Sequence, residues 1–163
     1  MHSTVLAVHV TLALLLTVML GVQTAELSRL RRDAAGQRAP GLEVLVNVIP
    51  LVNVLVAASG GILLRQGSEV GAWVAAGIVS SISILATSIY TSRLLRRPGR
   101  LSRQANAGTA AVQWGAPAFT LAGAFLMAAR PMDFAVAFAP VALAVVVTAA
   151  AYFRATSASP ASA

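Results

Sequence analysis

Five long apolar stretches, separated by short stretches that hold the charged residues, dominate the pattern of this chain. A helix rises 1.5 Å per residue, so about 20 consecutive apolar residues cross the hydrocarbon core of a bilayer. Each charge-free interval reaches that length without burying a charge. The pattern therefore predicts an all-α, polytopic transmembrane bundle with five helices, at about 4–22, 44–64, 70–92, 108–129 and 134–153.

Little of the chain is left outside these segments. We expect one transmembrane helical domain over residues 1–155 and a disordered cytoplasmic tail of Ser, Ala and Pro over residues 156–163. The first helix is predicted to continue to about Arg32, because Glu26, Arg29 and Asp33 stand at the spacing of helical ion pairs.

A cleaved signal peptide is the alternative interpretation of the first apolar segment. The residues before it include no Lys or Arg, and Gln23 before Ala25 does not make a typical cleavage site. We therefore favour a retained first helix.

The distribution of arginine predicts the orientation of the bundle. Ten of the twelve Arg residues lie in the loops after the first and third segments or after the fifth, and only Arg65 and Arg130 lie in the other two loops. Because basic loops are retained in the cytoplasm, the N-terminus is expected outside and the C-terminus inside. In both outer loops an acid balances the Arg, so the whole net charge of +7 is predicted to face the cytoplasm.

Composition agrees with this class of protein, since 58% of the residues are hydrophobic and 10% are charged, against about 25% charged in soluble domains. The Arg clusters indicate retention beside anionic lipid, and no aromatic interleaving or nucleic-acid motif accompanies them. The chain has no Cys, which excludes disulfides and thiolate metal sites. Arg without Lys, together with abundant Ala and Val, suggests a GC-rich bacterial genome.

The second segment has the most polar interior. Pro50 lacks an N–H, so the carbonyl of Val46 loses its helical donor and the helix is expected to kink. Asn53 follows seven residues after Val46 and projects from nearly the same face. Such groups at bilayer depth need a partner, which is another helix, a water molecule or a ligand. Pro50 and Asn53 are therefore candidate ligand-binding residues.

His9 is the second candidate, because an ionisable side chain within a membrane segment is costly and usually functional. It either has a functional role, as a ligand or in proton transfer, or is a neutral imidazole bonded to a neighbouring helix. The other histidine, His2, lies on the same helix, which cannot bring both to opposite sides of one haem. We predict no metal site within the chain, and leave a haem or copper ligand to a second copy or a partner.

Catalytic chemistry has few groups to use. All five acidic residues flank segment ends, and no acidic pair, zinc spacing, phosphate loop or nucleophile set lies within a segment. We therefore expect no enzyme. Pairs of small residues four apart indicate close helix packing instead, namely Gly77 with Ser81, Ala111 with Gly115 and Ala118 with Ala122.

Four stretches carry a resemblance to a known group of proteins: Val5–Val10, Ser92–Arg97, Gln113–Phe119 and Phe125–Pro131. They resemble an uncharacterised family of small bacterial integral membrane proteins, distantly similar to the membrane domain of CopD-type copper-resistance proteins and to the small membrane protoporphyrinogen oxidases. The wider group often has a His in the first helix, which His9 matches. The resemblance implies a bacterial inner-membrane protein.

Two hypotheses of function follow. In the first, the protein is a non-catalytic accessory subunit or self-associating bundle, with copies of itself or another membrane subunit as partners besides lipid. In the alternative, it binds or carries haem, copper or a small lipophilic molecule through His9, Pro50 and Asn53.

Overall fold

The computed structural model describes residues 2–32, 40–67, 70–96 and 103–157. These residues form five α-helices: α1 His2–Arg32, α2 Pro40–Arg65, α3 Ala72–Leu95, α4 Arg103–Ala129 and α5 Phe134–Ser157. Each helix is long and apolar enough to cross a membrane. The predicted all-α architecture with five spanning helices is confirmed. Helix α5 includes the first two residues of the predicted tail, Thr156 and Ser157. The remainder of that tail lies outside the described residues.

The helix boundaries follow from local chemistry. As predicted, α1 continues to Arg32, and Glu26 and Arg29 form an ion pair of 2.9 Å on its last turns. Pro40 begins α2, where its missing N–H costs no helical bond and its fixed φ favours the helix. Asp133 precedes α5 and accepts a hydrogen bond of 3.0 Å from the backbone N–H of Val136, which caps that helix.

Positive backbone φ angles mark two helix ends. After α2 the chain turns at Gly67, whose φ is 102°, a value that glycine adopts at no steric cost because it has no Cβ. After α4 it turns at Arg130, whose φ is 44° and whose guanidinium lies 5.8 Å from the ring centroid of Trp73 on α3. Both turns keep the connections short, so that consecutive helices pack side by side.

Four of the helices close into a ring and the fifth lies outside it. Helix α1 packs on α2, α2 on α3, α3 on α4 and α4 on α1, while α5 packs on α3 and α4. The main core is built from apolar side chains of all five helices, such as Leu20, Ile49, Trp73, Phe119 and Val141. A smaller core of Leu27, Leu42, Val46 and Val112 lies toward the Arg-rich end.

The outer surface of the bundle is apolar. Large exposed side chains occur on all five helices, among them Val18 (64% exposed), Leu51, Ile82, Leu121 (69%) and Leu143. A continuous apolar exterior of this extent is unfavourable in water and favourable in lipid. The chain is a multi-pass membrane protein by the length, composition and exterior of its helices.

Candidate functional site

His9 is buried on α1 and bonds to α2. Its Nδ1 lies 2.9 Å from Oγ of Ser59, and the side chain is 5% exposed. The neighbouring Gly60 makes room for the ring, since a Cβ there would lie 3.3 Å from Cε1 of His9. The imidazole thus occupies the interface of α1 and α2, in the inter-helix bond that was one of its two predicted roles.

The Ser59 hydroxyl lies between His9 and the backbone of its own helix. Its oxygen is 3.0 Å from the carbonyl of Val56 and 2.9 Å from Nδ1 of His9. When its single hydrogen is donated to Val56, Nδ1–H of His9 donates to the hydroxyl oxygen and Nε2 keeps its lone pair. A histidine that ligates a metal is commonly held in this way, with one nitrogen donating to a neighbour and the other left to bind.

Asn53 is also buried, at 2% exposed, and its partner is α3. Its Nδ2 donates to the carbonyl of Ser81 at 3.1 Å, and the Ser81 hydroxyl donates to Oδ1 at 3.2 Å. Both ends of the amide are therefore engaged by one residue. By contrast, Asn47 on the other side of α2 is exposed and donates to the Glu43 carbonyl of its own helix at 3.0 Å.

Pro50 lies inside α2 as predicted, one turn before Asn53. The structure gives His9 and Asn53 different partners, Ser59 on α2 and Ser81 on α3. Pro50 has no N–H to donate to either of them. The side chain of His2 lies outside the described residues.

A further polar cluster, which the sequence analysis did not single out, joins three helices near the Arg-rich end. Its members are Gln23, Thr24 and Arg31 of α1, Thr91 of α3, and Asn106 and Gln113 of α4. Arg31 makes the firmest contacts, since its Nε donates to Oδ1 of Asn106 at 3.1 Å and its Nη1 to Oε1 of Gln113 at 2.8 Å. A half-buried guanidinium is thus held by two neutral amides.

Pro117 explains another bond of this polar cluster. It lies inside α4 and deprives the carbonyl of Gln113 of its helical donor. The hydroxyl of Thr24 on α1 donates its single hydrogen mainly to Leu20 of its own helix at 2.8 Å, and the Gln113 carbonyl is a second, longer acceptor at 3.4 Å. The carbonyl that Pro117 leaves without a helical donor is therefore partly satisfied by a neighbouring helix.

The sequence did contain a signal for this polar cluster. Asn106 and Gln113 are seven residues apart on α4, and Pro117 follows Gln113 by four, which is the arrangement that drew attention to Pro50 in α2. Gln23 directly follows the predicted membrane segment 4–22 and lies within the predicted extension of the first helix to Arg32.

The hydroxyls of α3 serve mainly their own helix. Ser80, Ser83, Thr87, Ser88, Thr91 and Ser92 each donate to a carbonyl three or four residues earlier. Members of the predicted small-residue pairs also make contacts within the bundle. Ser81 is hydrogen-bonded to Asn53, Ala122 lies in the main core, and Gly115 packs against Thr148 of α5.

Within the described ranges, no three His, Cys, Asp or Glu side chains are grouped as a metal site requires. No protein-family model matches the chain, and neither curated proteins nor solved structures gave a match. The resemblance to CopD-type membrane domains accordingly stays a prediction.

Proposed function

We propose that this protein is a non-catalytic membrane protein that acts by association in the plane of a bacterial inner membrane, as a self-associating bundle. Besides His9, the buried polar side chains of the described helices are amides and hydroxyls, which do not ionise near neutral pH. These buried side chains can form hydrogen bonds that hold the helices together.

The observation that carries the proposal is an exposed face of α1. Thr17, Gly21 and Ala25 lie four residues apart on that face and are all exposed, and a Cβ added at Gly21 would meet nothing. Gly in a helix costs about 1 kcal/mol relative to Ala, and no contact inside this bundle compensates for it. Small residues spaced in this way, beside the β-branched Val18 and Val22, allow two helices to approach closely in a membrane.

Gly61 on α2 offers the matched comparison. It is exposed and open in the same way, but Ala57 precedes it by four residues while Arg65 follows. It therefore lacks small residues on both sides, and we assign no contact to it.

The proposal is tested by energy transfer between donor- and acceptor-labelled copies reconstituted in liposomes at several lipid ratios. Gly21→Leu is expected to weaken association about tenfold or more, equal to about 1.4 kcal/mol, because the side chain separates the two backbones. Gly61→Leu should leave association unchanged. Equal transfer in Gly21→Leu and the unchanged protein would contradict this face, and a monomer at every ratio would contradict self-association. In that case, copurification of a second membrane subunit in mild detergent would favour the accessory role.

The same proposal places the Arg-rich end in the cytoplasm, next to anionic headgroups, with the N-terminus outside. The bias of ten Arg against two supports it. Fusing a fluorescent protein and, separately, alkaline phosphatase to the C-terminus tests it: we expect fluorescence and no phosphatase activity, and the reverse result would invert the orientation.

A second candidate function is favoured by the bond between His9 and Ser59, in the tautomer that leaves Nε2 with a lone pair. With Nδ1 held by Ser59, the lone pair of Nε2 is suited to bind haem iron, Cu(I) or the hydroxyl of a small lipophilic molecule. The absorption spectrum and metal content of gently purified protein test this candidate, with His9→Ala as the matched control. A Soret band or bound copper that His9→Ala abolishes would support it, and their absence would exclude the haem and copper versions.

A further inference from the structure

The buried amide of Gln23 is only half satisfied. Its Nε2 donates to Oγ1 of Thr91 at 3.2 Å, across the ring from α1 to α3. Its Oε1 is buried and has no hydrogen-bond partner in the part of the chain that the structure describes. The residue is 1% exposed, so neither lipid headgroups nor bulk water reach it from the surface.

Rotating the amide does not remove the problem. Thr91 gives its single hydrogen to the carbonyl of Thr87 at 2.9 Å, so its oxygen is an acceptor and Nε2 is the correct group to face it. In the opposite orientation, Oε1 would face the oxygen of Thr91, which has no hydrogen left to donate to it. One group of the amide is therefore unpaired in either orientation, at a cost of about 1–3 kcal/mol for a buried polar atom.

The missing partner must be a hydrogen-bond donor that is small and uncharged. A cation is disfavoured because the guanidinium of Arg31 belongs to the same polar cluster and repels positive charge. Acceptors for a second hydrogen are near at hand, since the oxygen of Thr91 and the carbonyl of Gln113 already bond to Gln23 and Thr24. A buried site that offers polar partners to a small molecule is suited to a water molecule.

We propose that an internal water molecule is bound at the crossing of α1, α3 and α4. It donates one hydrogen to Oε1 of Gln23 and the other to an acceptor of the same polar cluster. This site is independent of the associating face of α1, because Gln23 is buried while Gly21 is exposed. The bound water molecule then connects helices of the ring, in addition to side-chain packing and direct hydrogen bonds.

Water-edited solid-state NMR of the isotope-labelled protein in lipid bilayers tests the site, by measuring how fast magnetisation passes from water to side-chain amides. Asn53 is the matched control, because it is equally buried and both ends of its amide are engaged by Ser81. We expect rapid transfer to the amide of Gln23 and little to that of Asn53. Equal, slow transfer to both amides would overturn the proposal.

A variant gives the second measurement. Gln23→Met keeps an unbranched side chain of similar length but removes the acceptor, so transfer from water to Thr91 should fall to the level of the control. Transfer to Thr91 that persists in the variant would show that its water does not depend on Gln23 and would also overturn the site. The chemical shifts of Asn53 and Ser81 report whether the variant keeps the fold.

Discussion

The four-helix ring and α5 are held in place by different means. Cross-helix hydrogen bonds join α1 to α2 at His9 and α2 to α3 at Asn53, and the polar cluster joins α1 to α3 and α4. None of these bonds involves α5, where the hydroxyl of Thr148 donates to its own helix and Ala137, Val141 and Ala144 pack in the core. Because lipid removes most of the hydrophobic drive between helices, polar pairs join the helices of the ring, while Ala137, Val141 and Ala144 place α5 by close fit.

The largest effect is expected where α5 meets α4. A Cβ at Gly115 would lie 2.7 Å from Oγ1 of Thr148, so Gly115→Ala should destabilise the bundle by about 1–3 kcal/mol through overpacking. The free energy of unfolding by SDS titration in bicelles measures it. Gly123→Ala on the same helix is the control, because its Cβ would meet nothing, and it should be neutral or slightly stabilising.

A second substitution sharpens that test. Thr148→Ala removes the two nearest atoms and leaves Cβ at 3.4 Å, an ordinary contact. The double variant Gly115→Ala/Thr148→Ala should therefore regain most of the lost stability. If both single variants and the double variant are equally unstable, α5 is not placed by fit at this position.

The next effect lies within the ring. Asn53→Leu removes both hydrogen bonds to Ser81 and should lower the free energy of unfolding by about 1–2 kcal/mol. Asn47→Leu, which removes a bond within α2 only, should change it by a few tenths of a kcal/mol. Comparable losses in the two variants would mean that the cross-helix hydrogen bonds contribute no more to the free energy of unfolding than a bond within one helix.

Arg31 tests whether geometry or charge fixes α1 on α4. Arg31→Lys keeps the charge but cannot reach Asn106 and Gln113 with a planar fork, and a loss of about 0.5–1 kcal/mol is expected. Arg32→Lys is the control, since Arg32 is exposed and bonds to Ser28 of its own helix. An unchanged unfolding free energy in Arg31→Lys would assign the contact to charge alone.

The smallest effect should come from the carbonyl that Pro117 frees. Thr24→Val keeps the shape of the side chain but removes a long bond of 3.4 Å to Gln113, for an expected loss of about 0.5 kcal/mol or less. Thr11→Val is the control, because the Thr11 hydroxyl bonds only to Ala7 of its own helix in the described contacts and Thr11 lies off the associating face. The difference between the two unfolding free energies isolates the cross-helix bond.

The spanning helices were predictable because charge-free length depends on local sequence alone. The burial of Asn53 and His9 was also predictable, from the cost of polar groups in hydrocarbon. Their partners were not, since Ser59 and Ser81 are two of many small polar residues, and only the packing of α1, α2 and α3 selects them. The contacts of Arg31 were not predicted, because an Arg at the end of a membrane segment indicates the orientation of the segment and names no partner. The structure shows that it also binds the amides of α4.

The length of α1 has a consequence for the response to membrane thickness. Its 31 residues extend for about 46 Å. The predicted apolar segment 4–22 matches a hydrocarbon core of about 30 Å, and the charged last turns project beyond it. An isolated helix adjusts to a change of bilayer thickness by tilting on its own. Because Arg31 fastens the last turn of α1 to α4, a tilt of α1 is transmitted to the ring, and lipid chain length becomes a mechanical load on the bundle.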